Sequence, residues 1–168
     1  MYEQGSYLVY GTGEICRVEG SVMKCFDGKN EREYICLAPL EAGNSTYYIP
    51  ADKLGEKARA LLTREEILAL IDRIPQATEL WIPDKNERRN HFDRVLRGGD
   101  FMQLAAMMQA IFLEREKKCS GGKHLCATDE KAFSAAERLI AKEFSFVLNI
   151  TEAEVAGFID ARLEQQAQ

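Results

Sequence analysis

Residues 46–74, TYYIPADKLGEKARALLTREEILALIDRI, decide the fold, because the periodicity of the apolar positions changes inside them. Thr46 to Ile49 is a run of aromatic and β-branched residues, the composition of a strand, and Pro50 closes it. Thr63-Arg64-Glu65-Glu66 has the pattern of a capping box, in which the Thr63 hydroxyl accepts from the Glu66 amide and the Glu66 carboxylate reaches back. Ile67, Leu70, Ile71 and Ile74 then recur at helical spacing until Pro75 stops the run. A β-module thus gives way to a helical domain, with the boundary expected near Ala51 to Ala60.

Upstream of that boundary the signals are those of strands. Tyr7 to Tyr10 is a short apolar run closed by Gly11-Thr12-Gly13. Glu14 to Glu19 alternates Ile15, Arg17 and Glu19 against Cys16 and Val18, the period of a half-buried strand. Val22 to Phe26 extends it past a bulge expected at Gly20-Ser21. Asp27-Gly28-Lys29-Asn30 is a hairpin signal, and Glu41 to Asn44 is a turn before the strand at Thr46. With Glu33 to Leu37 this makes four or five short strands with no helix between them. The predicted fold is α+β, with an antiparallel meander over residues 1–55 closing into a small Tudor- or SH3-like barrel.

Downstream, residues 60–168 read as an all-α domain of about five helices. Pro83 suits a first helical position, Phe92, Val95 and Leu96 line one face, and Gly98-Gly99 end the helix. Asp100 caps the next, which carries Leu104, Met108 and Ile111. Thr128 or Asp129 is expected to cap a fourth helix, and Thr151 to Glu154 is a second capping box. The tail, Glu164 to Gln168, is expected to fray. The apolar stripes are explained by packing on one another as a core.

Composition narrows the functional classes. With 46% hydrophobic and 29% charged residues the chain is expected to be globular, and no apolar run reaches the length of a membrane span. The first ten residues lack the basic start and apolar stretch of a signal peptide, so a cytoplasmic location is expected. The five cysteines form no CxxC pair and are expected as thiols, the first three inside strand-like runs as core residues. Cys119, His124 and Cys126 lack a fourth nearby ligand, so no metal is expected. A net charge of −5 argues against coating nucleic acid by bulk electrostatics, yet leaves room for a local basic face.

A search for converging catalytic groups finds none. There is no nucleophile elbow, metalloprotease motif, phosphate loop or dinucleotide fingerprint. Gly11-Thr12-Gly13 is short enough to be a turn, His91 sits on a charged helix face where solvation is the default, and Glu65-Glu66 are helix-start acids. A binding protein without cofactor, rather than an enzyme, is the expectation. Two features stand out. Trp81, the sole tryptophan, lies in Leu80-Trp81-Ile82-Pro83, either as a staple or connector buried against the helices or as an exposed wedge for a partner or a base step. Beside it, Lys85, Arg88 and Arg89 fall on a common helical surface by spacing, which is either solvated charge or a phosphate-binding face.

The order of these features resembles the CarD/CdnL family of bacterial transcription regulators, whose N-terminal module is shared with the transcription-repair coupling factor. The resemblance rests on Gly5-Ser6-Tyr7-Leu8-Val9-Tyr10-Gly11, Gly13-Glu14-Ile15-Cys16, Glu33 to Leu37 and Tyr48-Ile49-Pro50-Ala51-Asp52. In the helical part it rests on Trp81, Arg88 through Leu96, Gly99-Asp100, Leu104 and Asp129-Glu130. It implies that the N-terminal module docks on the β1 lobe of the RNA polymerase β subunit, with Lys24 and Tyr48 at the positions of the contacting residues, where family members can carry arginine. It implies further that the helical domain meets promoter DNA at the upstream edge of the bubble, stabilising the open complex. Trp81 would be the minor-groove wedge there, and Arg88 and Arg89 phosphate contacts. The spacing from Trp81 to Gly99-Asp100 exceeds the family pattern by about one turn, a displacement of roughly 5 Å. The competing expectation is a protein–protein adaptor that makes no DNA contact.

Overall fold

The computed structural model describes residues 2–26 and 28–166. The chain divides between Leu61 and Leu62 into two compact units, one built on a sheet and one on helices.

In the first unit, β1 (Tyr7–Tyr10), β2 (Glu14–Lys24), β3 (Arg32–Pro39) and β4 (Tyr47–Pro50) form an antiparallel meander. A 3-10 turn (Ala51–Lys53) and the short α1 (Leu54–Lys57) then lead into β5 (Ala58–Ala60), which pairs with β1. The sheet order is β4-β3-β2-β1-β5. The sheet is therefore open, with β4 and β5 at its two edges, and the closed barrel expected from the strand count is not what the pairing shows. The helical turn between β4 and β5 carries the chain away from β4, so no hairpin forms there. These elements also occupy much of the stretch read from sequence as a plain boundary.

Register fixes which side chains face inward. Beyond the pairing of Val18 with Leu37, the ladder resumes at Gly20 opposite Cys36, so the extra residue is Glu19, one position earlier than expected. Gly20 has φ +131 at this bulge, a value that residues with a Cβ rarely adopt. Leu8, Cys16, Val18, Leu37 and Leu54 form the small core, with Ile35, Tyr47 and Ile49 against it. Of the three cysteines expected in strand interiors, Cys16 is buried, Cys36 is half-buried and Cys25 is exposed. Asp27 of the expected hairpin turn lies outside the described residues, while Gly28 beside it has φ +70.

The second unit comprises α2 (Arg64–Asp72), a 3-10 turn (Ile74–Gln76), α3 (Lys85–Gly98), α4 (Phe101–Ser120), α5 (Ala127–Leu148) and α6 (Glu152–Gln166). The capping box at Thr63 forms with both of its bonds. Pro83 precedes α3 instead of opening it, because the Asp84 carboxylate accepts from the Asn86 and Glu87 amides and is the cap. Similarly α5 starts at Ala127 after Cys126, which leaves Asp129 inside its first turn. Residues 164–166, expected to fray, continue α6. Gly99 closes α3 in the left-handed conformation at φ 65.

The long α5 packs against α2, α3, α4 and α6 and so forms the centre of this unit. Ile67, Ile71, Phe92, Met107, Ile111, Ala136 and Phe144 are among its most buried side chains. Three two-pronged arginine–carboxylate pairs tie the helices at the edges of this core. They join Arg88 to Asp129, Arg115 to Glu130, and Arg162 to Asp72. No helix of the described residues is long and apolar enough to cross a membrane.

Candidate functional site

Two surfaces gather the residues that the sequence singled out, one on each unit. On the sheet, the period of two sends Tyr47 into the core and Tyr48 outward. Tyr48 pairs with Cys36, and Lys24 pairs with Arg32, so by register both side chains fall on the same outer face as Tyr34. The Lys24 ammonium lies 3.8 Å from the centre of the Tyr48 ring and 5.5 Å from that of Phe26. Phe26 meets Tyr34 edge-on at 4.9 Å and Tyr48 at 5.8 Å. The four form one cation–aromatic cluster in which Phe26 stays 61% exposed.

This cluster adjoins the edge strand β4. Antiparallel pairing uses the amides and carbonyls on one side of an edge strand and leaves the other side open to a new partner. An open concavity of about 560 Å³ runs along the same strand, lined by Tyr10, Phe26, Thr46, Tyr47, Tyr48 and Ile49. The hydroxyl of Tyr47, one of its lining residues, donates to the Glu14 carboxylate at 3.2 Å. Burial and that carboxylate both push the Tyr47 phenol above its ordinary value, so it remains a neutral donor. Phe26 and Tyr34 were not singled out from sequence, although Phe26 shares the parity of Lys24 and was legible as a continuation of that face.

The helical unit divides the expected DNA-contacting set in two. Lys85 and Arg89 are exposed on α3, whereas Arg88 between them is only 6% exposed. The Arg88 Nε and Nη2 donate to Asp129 at 3.0 and 3.1 Å, and its Nη1 donates to the carbonyls of Ile82 and Pro83 at 2.8 and 3.1 Å. Burial works to lower its pKa, and the bonds to Asp129 outweigh that and raise it. Arg88 therefore does not share an exposed face with Lys85 and Arg89. Its donors are used inside the protein, so no exposed guanidinium is left for the phosphate contact expected of Arg88, while Lys85 and Arg89 face solvent.

Arg88 does act on Trp81. Its guanidinium lies 4.4 Å from the indole centre, and the Phe92 ring meets the indole edge-on at 6.3 Å. Trp81 is half-buried and packs against the helical core, so it is neither a free wedge nor a fully hidden connector. The residue before it differs sharply. Leu80 is 91% exposed, the highest value among the exposed large apolar side chains of the described residues. His91, expected to be solvated, is half-buried with its Nε2 3.1 Å from the Glu79 carboxylate.

The remaining chemistry is sparse. Cys126 donates from its thiol to Asp129 at 3.0 Å, which adds a third member to the Arg88 pair. Among the described residues no group of three or more histidine, cysteine, aspartate or glutamate side chains is arranged to hold a metal ion. A separate concavity of about 610 Å³ lies between α4, α5 and α6, with Met108, Phe133 and Val155 among its apolar lining and Glu137, Arg138, Glu152 and Asp160 among its polar lining. A comparison with known protein families finds no matching family model, and one with curated proteins finds no match.

Proposed function

We propose that this chain is a transcription regulator of the CarD/CdnL type, a non-catalytic protein of the cytoplasm that binds RNA polymerase and promoter DNA through separate units. In this reading the open five-stranded sheet is a Tudor-like module that docks on the β1 lobe of the polymerase β subunit. The helical unit contacts promoter DNA at the upstream fork and favours the open complex by binding it more tightly than the closed one. Tethering through the first unit raises the local concentration of the second, so an acidic protein can use a small basic face.

The observation that carries the reading is the Lys24–Tyr48 pair. Two residues 24 positions apart, each matched to a contact position by resemblance, stack at 3.8 Å beside an open strand edge. A partner strand added to β4 would meet this cluster directly. The test is capture of the cognate polymerase β subunit by purified protein. Tyr48→Glu is expected to abolish capture while circular dichroism stays unchanged, because Tyr48 is outside the core. Full capture by the folded variant would remove this surface from the proposal.

A second reading, the protein–protein adaptor without DNA contact, is favoured by the concavity between α4, α5 and α6. Its apolar lining and three carboxylates against the single Arg138 suit a basic peptide better than a nucleic acid. Crosslinking of Arg89 to upstream-fork DNA within a polymerase–promoter complex decides between the two.

A further inference from the structure

The concavity between α4, α5 and α6 joins an apolar wall to unpaired charge of mainly one sign. Glu152, Val155, Ala156, Ile159 and Asp160 recur along α6 at i, i+3, i+4, i+7 and i+8, so they share one face of that helix. Val155 is buried, whereas Ile159 is half-buried and Ala156 exposed, so the protein's own packing covers this wall only in part. Met108 of α4 and Phe133 of α5 line the other sides, each half-buried. Glu152 and Asp160 stand about 12 Å apart along α6, and Glu137 of α5 is the third carboxylate. All three are exposed, and none has a hydrogen bond or ion pair among the described residues. Arg138 is the single cation among the described lining residues. The Arg115 guanidinium lies 4.5 Å from the Phe133 ring centre, but its donors go to Glu130.

We infer that this groove docks an amphipathic helix of a partner protein, one whose apolar stripe carries lysine or arginine at both ends. The inference deepens the adaptor reading, resting on its groove but not on the absence of DNA contact. A helix seated in a groove presents apolar anchors at i, i+3, i+4 and i+7, which span about 10 Å. That stripe fits between the Glu152 and Asp160 carboxylates, and cations at its ends meet acids that have no other partner. A nucleic acid would bring phosphates to the same carboxylates and leave the apolar wall unused. A metal ion is excluded by geometry, since no three acidic side chains of the described residues converge. A second copy of this chain fits less well. Its exposed Phe112 and Leu113 are followed by Glu114 and Glu116 before Lys117 and Lys118, so its cations lie at one end only.

The test uses the full chain and a labelled synthetic helix with leucine at i, i+3, i+4 and i+7 and lysine at both ends, read by fluorescence anisotropy. Saturable binding is expected, about tenfold tighter than to a glutamate counterpart or to a scrambled peptide of equal charge. Glu137→Gln, Glu152→Gln and Asp160→Asn together are expected to weaken it about tenfold, the scale of three exposed ion pairs, with helix content unchanged. Arg138→Gln, which removes the opposing cation, is expected to tighten it about twofold. Ala156→Lys, which narrows the groove and adds a like charge, is expected to abolish it. Absent binding, or equal binding of all three peptides, overturns the inference and leaves the adaptor reading to the Arg89 crosslink. Unchanged binding by Ala156→Lys overturns it as well, because the peptide then sits elsewhere. A parent dimer dispersed by the triple variant in light scattering would place a second copy in the groove, which also overturns it. Peptide binding together with an Arg89 crosslink keeps the groove assignment and ends only the reading without DNA contact.

Discussion

At Arg88 a buried positive charge is held by geometry. Arg88 and Asp129 are 6% and 2% exposed, so each loses hydration that the other, the two loop carbonyls and the Cys126 thiol replace. Removing one partner strands the other in a poorly solvated site, which costs about 3–5 kcal/mol. Asp129→Ala is accordingly expected to lower unfolding stability by about 3 kcal/mol in urea melts, and Arg88→Met with Asp129→Leu to recover most of it. The difference between Arg88 and Arg89 was not legible in sequence. Neighbours on a helix point about 100° apart, and the same residue type serves inside or outside according to its partner. Here that partner lies 41 positions away, on another helix. The outward face of Tyr48 was within reach of sequence reasoning, because a strand's period of two operates locally.

Among the elements, α2 and α6 are joined by the Asp72–Arg162 pair, with both bonds at 2.8 Å. The bonds from Arg162 hold the Asp72 carboxyl below its ordinary value, against the opposing effect of partial burial. The folded state thus releases the Asp72 proton more readily than the unfolded state does. The pair contributes fully at neutral pH, and its contribution is lost as pH falls through and below the ordinary carboxylate range. Glu154 behaves alike, lowered by its bonds to the Thr151 amide and hydroxyl at the start of α6. Asp72→Asn is expected to flatten the acid decline of the thermal midpoint relative to the parent, and an identical decline would mean the pair contributes nothing. Thr63→Ala, which removes the acceptor for the Glu66 amide, is expected to cost about 1 kcal/mol in the same melts. Caps with a local signature were readable, as at Thr63. The starts of α3 and α5 differ from the sequence reading because Pro83 and Thr128 are both acceptable first-turn residues. At α3 the bonds accepted by Asp84 set the start, and at α5 the cap residue Cys126 makes no side-chain cap bond that would signal it. The short α1 and β5 lack the length to display a period.

For the molecule as a whole, the change of period after Pro50 gave the order of sheet then helices. It did not give the open sheet, since closure depends on whether two short distant strands meet. The large core is made entirely of side chains from residues 62–168. Those residues expressed alone are expected to retain their helical circular dichroism and unfold cooperatively. A fragment lacking cooperative unfolding would show that the first unit is needed to complete it.

One consequence follows from Trp81 being the sole tryptophan and lying under a guanidinium at the proposed contact. The protein carries an intrinsic fluorophore at that one place, and selective indole excitation reports on no other part of the chain. Contact with a base step or opening of the Arg88–Asp129 pair would alter emission intensity and wavelength, so binding and local loosening can be followed in unlabelled protein.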